Sequence, residues 1–196
     1  MTTITCSAAV NCSAAADCSA ADDVQDDVLC MVLPDESALA QVARVLAGAL
    51  TGTEFIALYG PLGAGKTTLA RALLRAAGHV GPVRSPTFTL VEPYELEAFT
   101  VLHLDLYRLA AADELEWLGV RERFGDVLLL IEWPERGAGW LPMADLELRL
   151  DFNPAAVDTG ASEGRVLKAN ARSALGRAAL RQLAFTTGEL STKTAD

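Results

Sequence analysis

Apolar positions along this chain follow two periods. Val28 to Leu33 is a short apolar run that predicts a strand. Pro34-Asp35-Glu36-Ser37 then supplies a helix start, and Leu39, Val42, Ala43, Leu46 and Leu50 follow at helical spacing. Thr51-Gly52-Thr53 breaks that helix, and Phe55 to Tyr59 is a β-rich apolar run suited to a parallel sheet covered on both faces. A second helix is predicted from Lys66 to Ala77, stopped by Gly78. A loop over 81–86 leads to strands over Thr87–Glu92 and Thr100–Leu106, with a turn near Glu95 to Ala98. A short helical stretch opens at Ala111-Asp113-Glu114 and runs through Trp117 toward Phe124. Val127 to Ile131 is the most apolar strand of all. Leu146 to Phe152 alternates apolar and polar residues, and Arg165 to Ala169 is its expected antiparallel partner. Residues 173–185 read as a helix. The expected class is α/β, with a mainly parallel central sheet and antiparallel additions.

Between the strand 55–59 and the helix 66–77 lies Gly60-Pro61-Leu62-Gly63-Ala64-Gly65-Lys66-Thr67. This is the G-x-x-x-x-G-K-[ST] signature of a P-loop, in the strand-before, helix-after setting such a match requires. Its glycines let backbone N–H groups turn toward phosphate oxygens, and the helix N-terminus adds its positive end. Lys66 is expected to reach the β- and γ-phosphates, and the Thr67 hydroxyl to face Mg²⁺. With glycine near 7% of residues, the four fixed positions arise by chance in roughly one chain of this length per hundred. The pattern therefore predicts ATP binding on a P-loop NTPase-like three-layer sandwich. Leu62, Gly63, Ala64, Gly65, Lys66, Thr67 and Thr68 are the phosphate-binding candidates.

Composition changes the picture in two places. The 196 residues fit one domain, 51% of them are hydrophobic, and no apolar run is long enough to span a membrane. No secretory signal is visible at the start, so the expected location is cytoplasmic. The net charge of -10 argues against a whole surface that grips nucleic acid. A local basic patch survives as an option, since Arg71, Arg75, Arg84, Arg108, Arg121 and Arg123 fall in the middle of the chain; ordinary solvated charge is the better reading for most of them. Cys6, Cys12, Cys18 and Cys30 precede the motif without any CxxC pair, and the first three belong to a Cys-Ser-Ala-Ala repeat. Residues 1–27 read as a low-complexity leader ending in an acidic run, with Met31 as an alternative start. Residues 28–185 read as one P-loop domain, and 186–196 as a frayed tail.

A P-loop needs a further carboxylate at the end of a neighbouring strand. Glu132 closes the strand 127–131, and Asp105 lies in His103-Leu104-Asp105-Leu106-Tyr107-Arg108. Either carboxylate also suits a helix cap or an arginine pair. The working assignment puts Glu132 at the metal, directly or through water, and Asp105 on water or metal. Lys66, Asp105 and Glu132 are thus the catalytic candidates, with Thr67 and Glu132 on the metal. Ser85-Pro86-Thr87 occupies the place of a nucleotide switch loop, where Thr87 either senses the γ-phosphate or merely starts a strand. His103 reads as a hydrogen-bonded core residue more readily than as a base, and Trp133 either stacks on something or is explained by packing alone.

These blocks together resemble a known family, the bacterial ATPase of tRNA threonylcarbamoyladenosine biosynthesis (TsaE, formerly YjeE). The resemblance rests on Leu58 to Thr68, Ser85-Pro86-Thr87-Phe88-Thr89-Leu90-Val91, His103 to Leu109, Glu114-Leu115-Glu116 and Ile131-Glu132-Trp133-Pro134, spanning about residues 33–151. It implies an ATPase that supports N6-threonylcarbamoyladenosine formation at position 37 of tRNA. Such a protein binds the TsaD–TsaB transferase pair and meets tRNA only through it. The resemblance also implies Mg²⁺ at Thr67 and Glu132, a need for Asp105 in hydrolysis, and Glu36 on the adenosine side. The leader has no counterpart in the family, and residues 153–164 read as an insertion, which leaves Arg165 as the candidate for a basic nucleotide contact.

Two other classes compete. A small-molecule kinase would carry an arginine-rich lid, whereas the loop 134–142 holds only Arg136. A GTPase would need an N-K-x-D box and a D-x-x-G element, and neither is present. A nucleotide-gated binding module with negligible turnover is separated from an ATPase by its response to partners.

Overall fold

The computed structural model describes residues 5–6, 27–87, 89–153 and 164–192. Strands β1 (Thr5–Cys6), β2 (Val28–Leu33), β3 (Phe55–Tyr59), β4 (Val91–Glu95), β5 (Thr100–Asp105), β6 (Leu128–Glu132), β7 (Leu146–Phe152) and β8 (Arg165–Ala171) form one sheet. The helices are α1 (Glu36–Ala47), α2 (Lys66–Ala76), the single turn α3 (Glu114–Trp117) and α4 (Ala174–Thr192). The sheet order is β1-β2-β8-β7-β3-β6-β5-β4. Its centre, β7-β3-β6-β5, is parallel, and antiparallel strands extend it on both sides. The sequence-based class holds, including the β7–β8 hairpin.

Two apolar cores cover the two faces. One joins α1, α2 and α4 to the sheet through residues such as Leu39, Leu46, Leu69, Leu73, Leu180 and Leu183. The other lies beneath the segments after β5 and β6 and includes Leu106, Leu109, Leu115, Val120 and Ile131. Strands β3 and β6 are buried on both faces because they are apolar up to their last residues, Tyr59 and Glu132, as central parallel strands must be.

Helix α1 is capped by Asp35, whose Oδ1 accepts from Ala38 N at 2.9 Å, and it buries Leu39, Val42, Ala43 and Leu46 of the stripe read from the sequence, while Leu50 lies beyond its end at Ala47. Helix α4 continues past the expected end at 185 to Thr192. Residues 186–192 contain no proline, and the one glycine there costs a helix only about 1 kcal/mol. The strand expected from Thr87 begins only at Val91. Leu90 N bonds back to Pro86 O at 2.7 Å, and Leu90 takes φ 61, so Leu90 is folded back toward Pro86 rather than extended in a strand. The β-branched and aromatic character of Thr87 to Leu90 suggested a strand, but the local bond prevailed. Edge strand β4 carries an exposed proline, Pro93, opposite Leu102 of β5. The leader's Cys12 and Cys18, its acidic residues 22–26, positions 154–163 of the expected insertion and residues 193–196 lie outside the described residues.

Gly60 ends β3 with φ 134, and a Cβ added there would collide with the carbonyl oxygen of Leu150 on β7. Gly60→Ala is therefore expected to cost about 2–3 kcal/mol of stability and to weaken nucleotide binding in parallel. Thermal unfolding of the variant beside the parent checks it; an unchanged Tm contradicts the close approach.

Candidate functional site

The parallel register brings the candidate residues to one edge of the sheet. Leu58 pairs with Glu132, and Glu132 pairs with Asp105, so the β3–α2 loop and both carboxylates stand side by side at the strands' C-terminal ends. Helix α2 then opens without a side-chain cap. Gly65 takes φ 107 at the cap position, leaving the first-turn N–H groups without a side-chain acceptor and ready for an anion.

Lys66 is only 4% exposed. Its Nζ donates to Gly60 O at 2.7 Å and Pro61 O at 2.8 Å, and it sits 3.9 Å from the ring centroid of Trp133. The ammonium is thus held at the loop by the loop's own carbonyls. Burial lowers its pKa from the ordinary lysine value, while the charges of Glu132, Asp105 and Glu135 oppose that shift. Trp133 reaches this place through a left-handed backbone, φ 59 and ψ 47, directly after β6. Its N–H bonds to Leu58 O at 3.2 Å and its ring lies 5.0 Å from that of Tyr107.

The carboxylates are held from several sides. Glu132 Oε2 accepts from the Thr67 hydroxyl at 2.8 Å, and its Oε1 lies 3.0 Å from His103 Nε2. His103 is fully buried, and its Nδ1 has no hydrogen-bond partner among the described residues. The proton therefore belongs on Nε2, donated to Glu132. Asp105 Oδ2 accepts from Thr87 Oγ1 at 3.0 Å, and Oδ1 from Tyr107 N at 3.1 Å. Ser85 Oγ stands 2.7 Å from Thr87 Oγ1, which continues the chain outward. Thr87 belongs to the turn before β4 and ties it to Asp105.

The donor set suits magnesium, a hard cation that takes oxygens and relies on only one or two carboxylates alongside substrate phosphates. Thr67 Oγ1 and Glu132 Oε2 stand 2.8 Å apart, close to the roughly 2.9 Å between adjacent oxygens of an octahedral magnesium site with 2.0–2.1 Å bonds. Among the described residues, no group of three or more His, Cys, Asp or Glu is placed to hold a metal alone.

Leu62, Gly63, Gly65, Lys66, Thr67, Thr68, Thr87, Asp105 and Glu132 all line one cleft of about 410 Å³. Ala64 is fully buried behind it. Glu36 stands elsewhere, in a separate groove between α1 and α2 that Thr68 also borders. Arg165 turns to the loop itself: Nε donates to Ala64 O at 3.1 Å and an Nη to Gly63 O at 3.4 Å, with the guanidinium over the Phe152 ring. Tyr107, Arg108 and Trp133 complete the cleft lining without having been site candidates.

Comparison with known proteins followed the same residues. Residues 33–158 match the family described as "Threonylcarbamoyl adenosine biosynthesis protein TsaE". The tRNA threonylcarbamoyladenosine biosynthesis protein TsaE of Haemophilus influenzae is 45% identical over 130 residues, covering 63% of this chain and 82% of the relative. The protein of that description from Aquifex aeolicus is 42% identical over 129 residues, covering 65% and 92%. Among solved structures, Bacillus subtilis YdiB superposes with a TM-score of 0.58 at 21% identity, covering 89% of this chain and 99% of that one, a likeness of fold.

Proposed function

Since this chain belongs to the TsaE family, we propose that it is an ATPase of tRNA threonylcarbamoyladenosine biosynthesis, acting on the TsaD–TsaB transferase pair and hydrolysing ATP to sustain its turnover. The observation that carries this reading is the convergence of the uncapped α2 N-terminus, Lys66, Thr67, Asp105 and Glu132 on one cleft. That set is what phosphoryl transfer to water requires: a phosphate cradle, a cation, a metal edge and a carboxylate near the attacking oxygen.

In this reading the α2 N–H groups and Lys66 take the β- and γ-phosphates, and Lys66 exchanges the carbonyls of Gly60 and Pro61 for phosphate oxygens. Thr67 and Glu132 would hold magnesium, which would supply neutralisation of phosphate charge. His103 keeps the Glu132 carboxylate aimed at Thr67. Asp105 orients water at the γ-phosphate, and Thr87, hydrogen-bonded to it, links that water to the turn before β4. The adenosine extends past Thr68 toward Glu36. No helix among the described residues is long and apolar enough to cross a membrane, which suits the cytoplasmic setting proposed for a partner of tRNA modification.

The test is ATP hydrolysis by the purified chain, alone and with purified TsaD–TsaB, together with tRNA modification followed over many turnovers. Hydrolysis is expected to rise at least several-fold with the pair, and modification to continue beyond one round only when this chain and ATP are present. A hydrolysis rate indifferent to the pair contradicts the reading.

A further inference from the structure

A second cavity adjoins the phosphate cleft at Thr68 but extends away from it between α1 and α2. It is a groove of about 690 Å³ between α1 and α2, lined by Leu39, Ala40, Ala72, Ala76 and Val83 along its floor and by Arg44, Arg71 and Arg75 along its sides. Arg71 and Arg75 lie one turn apart on α2, so their side chains share a face, and Arg44 comes from α1. Arg44 and Arg75 are exposed and Arg71 is partly buried. None of the three forms an ion pair with a carboxylate of the described residues. The chain carries 26 acidic residues against 16 basic ones, and three unmatched guanidinium groups around one trough stand out against that background.

We propose that this groove docks an acidic segment of the transferase pair, with carboxylates on Arg44, Arg71 and Arg75 and a small apolar side chain on the alanine floor. The inference rests on the proposed partnership and adds the surface that mediates it. Charge complementarity names the occupant's sign, and the lining names its class. Among the described residues no aromatic side chain lines the groove for bases to stack on, and three arginines on a chain of net charge -10 are a weak electrostatic footing for a polyanion. An apolar floor with arginine walls is instead the composition of a protein interface core and its rim. The end of the groove bordered by Glu36 and Thr68 is the one given above to the adenosine, so the segment occupies the arginine end and stops short of it. The placement has a mechanistic use, because Arg71 and Arg75 lie on the helix whose first residues, Lys66 and Thr67, face the phosphates. A partner gripping α2 holds the phosphate-binding end of that helix in place.

The experiment uses the full chain, ATP and the purified TsaD–TsaB pair, with affinity followed by calorimetric titration at low and high salt. The double variant Arg44→Glu, Arg75→Glu is expected to bind the pair at least 10-fold more weakly, while its ATP affinity and unstimulated hydrolysis equal those of the parent, which also certifies its fold. Arg71→Glu alone is expected to show a smaller loss of the same kind. The parent's affinity should fall steeply with salt. Unchanged affinity in the double variant overturns the groove while leaving the partnership standing. A parent chain that does not bind the pair overturns both. If the chain alone binds tRNA and the double variant loses that binding, the occupant is nucleic acid and the proposal is wrong.

Discussion

Lys66→Ala is expected to raise the dissociation constant for ATP by roughly a hundredfold, about 3 kcal/mol, with hydrolysis lost at ordinary nucleotide concentrations. The estimate follows from removing charged hydrogen bonds to phosphate, each worth about 1.5–3 kcal/mol. It is tempered by what the ammonium already does. Lys66 Nζ is bonded to Gly60 O and Pro61 O and lies over the Trp133 ring, so ATP gains only the difference between phosphate and those partners. The substitution also leaves two loop carbonyls without their donor, and thermal unfolding must accompany the titration. A variant that unfolds at the parent's Tm and binds ATP as tightly would show that the phosphates do not sit at Lys66.

Glu132→Gln is expected to lower kcat for ATP hydrolysis by about 100- to 1,000-fold, a loss of roughly 3–4 kcal/mol of transition-state stabilisation. ATP affinity should stay within a few-fold. The local structure tolerates the amide: its oxygen can accept from His103 Nε2, and its NH₂ can donate to Thr67 Oγ1 once that hydroxyl rotates. The change is therefore one of charge at the metal edge rather than of shape. Single-turnover hydrolysis at saturating ATP separates the two effects. Normal hydrolysis in this variant would make Glu132 structural and pass the role to Asp105.

Much of the site was legible because its signals are local. Gly60 to Thr67 is a contiguous motif, and β3 and α2 flank it as the apolar run 55–59 and the periodicity after Lys66 indicate. What was not legible depends on pairing across the sheet. The sequence offered Glu132 and Asp105 as two carboxylates at strand ends; only the β5–β6 register sets them opposite each other. His103 read as a hydrogen-bonded core residue and is one, but its partner lies 29 residues away on the next strand. Arg165 was a candidate for the nucleotide, and what the sequence could not show is that its guanidinium meets carbonyls of the phosphate loop itself, at Gly63 and Ala64, about a hundred residues earlier. Thr87 was ambiguous for a local reason, since β-branched residues favour strands while the Pro86–Leu90 hydrogen bond closes a turn. Arg44 drew no notice in the sequence, because nothing in one dimension places it across from Arg71 and Arg75.

The exposed proline of edge strand β4 bears on how copies of this chain behave when crowded. Pro93 has no N–H, and its neighbours along the strand are Glu92, Tyr94 and Glu95. An approaching strand would find a gap in the row of donors and carboxylates on either side of it, both of which oppose sheet-to-sheet stacking through that edge. Concentrated solutions of the protein should resist fibrous association along β4, a form of colloidal protection set by one residue remote from the phosphates.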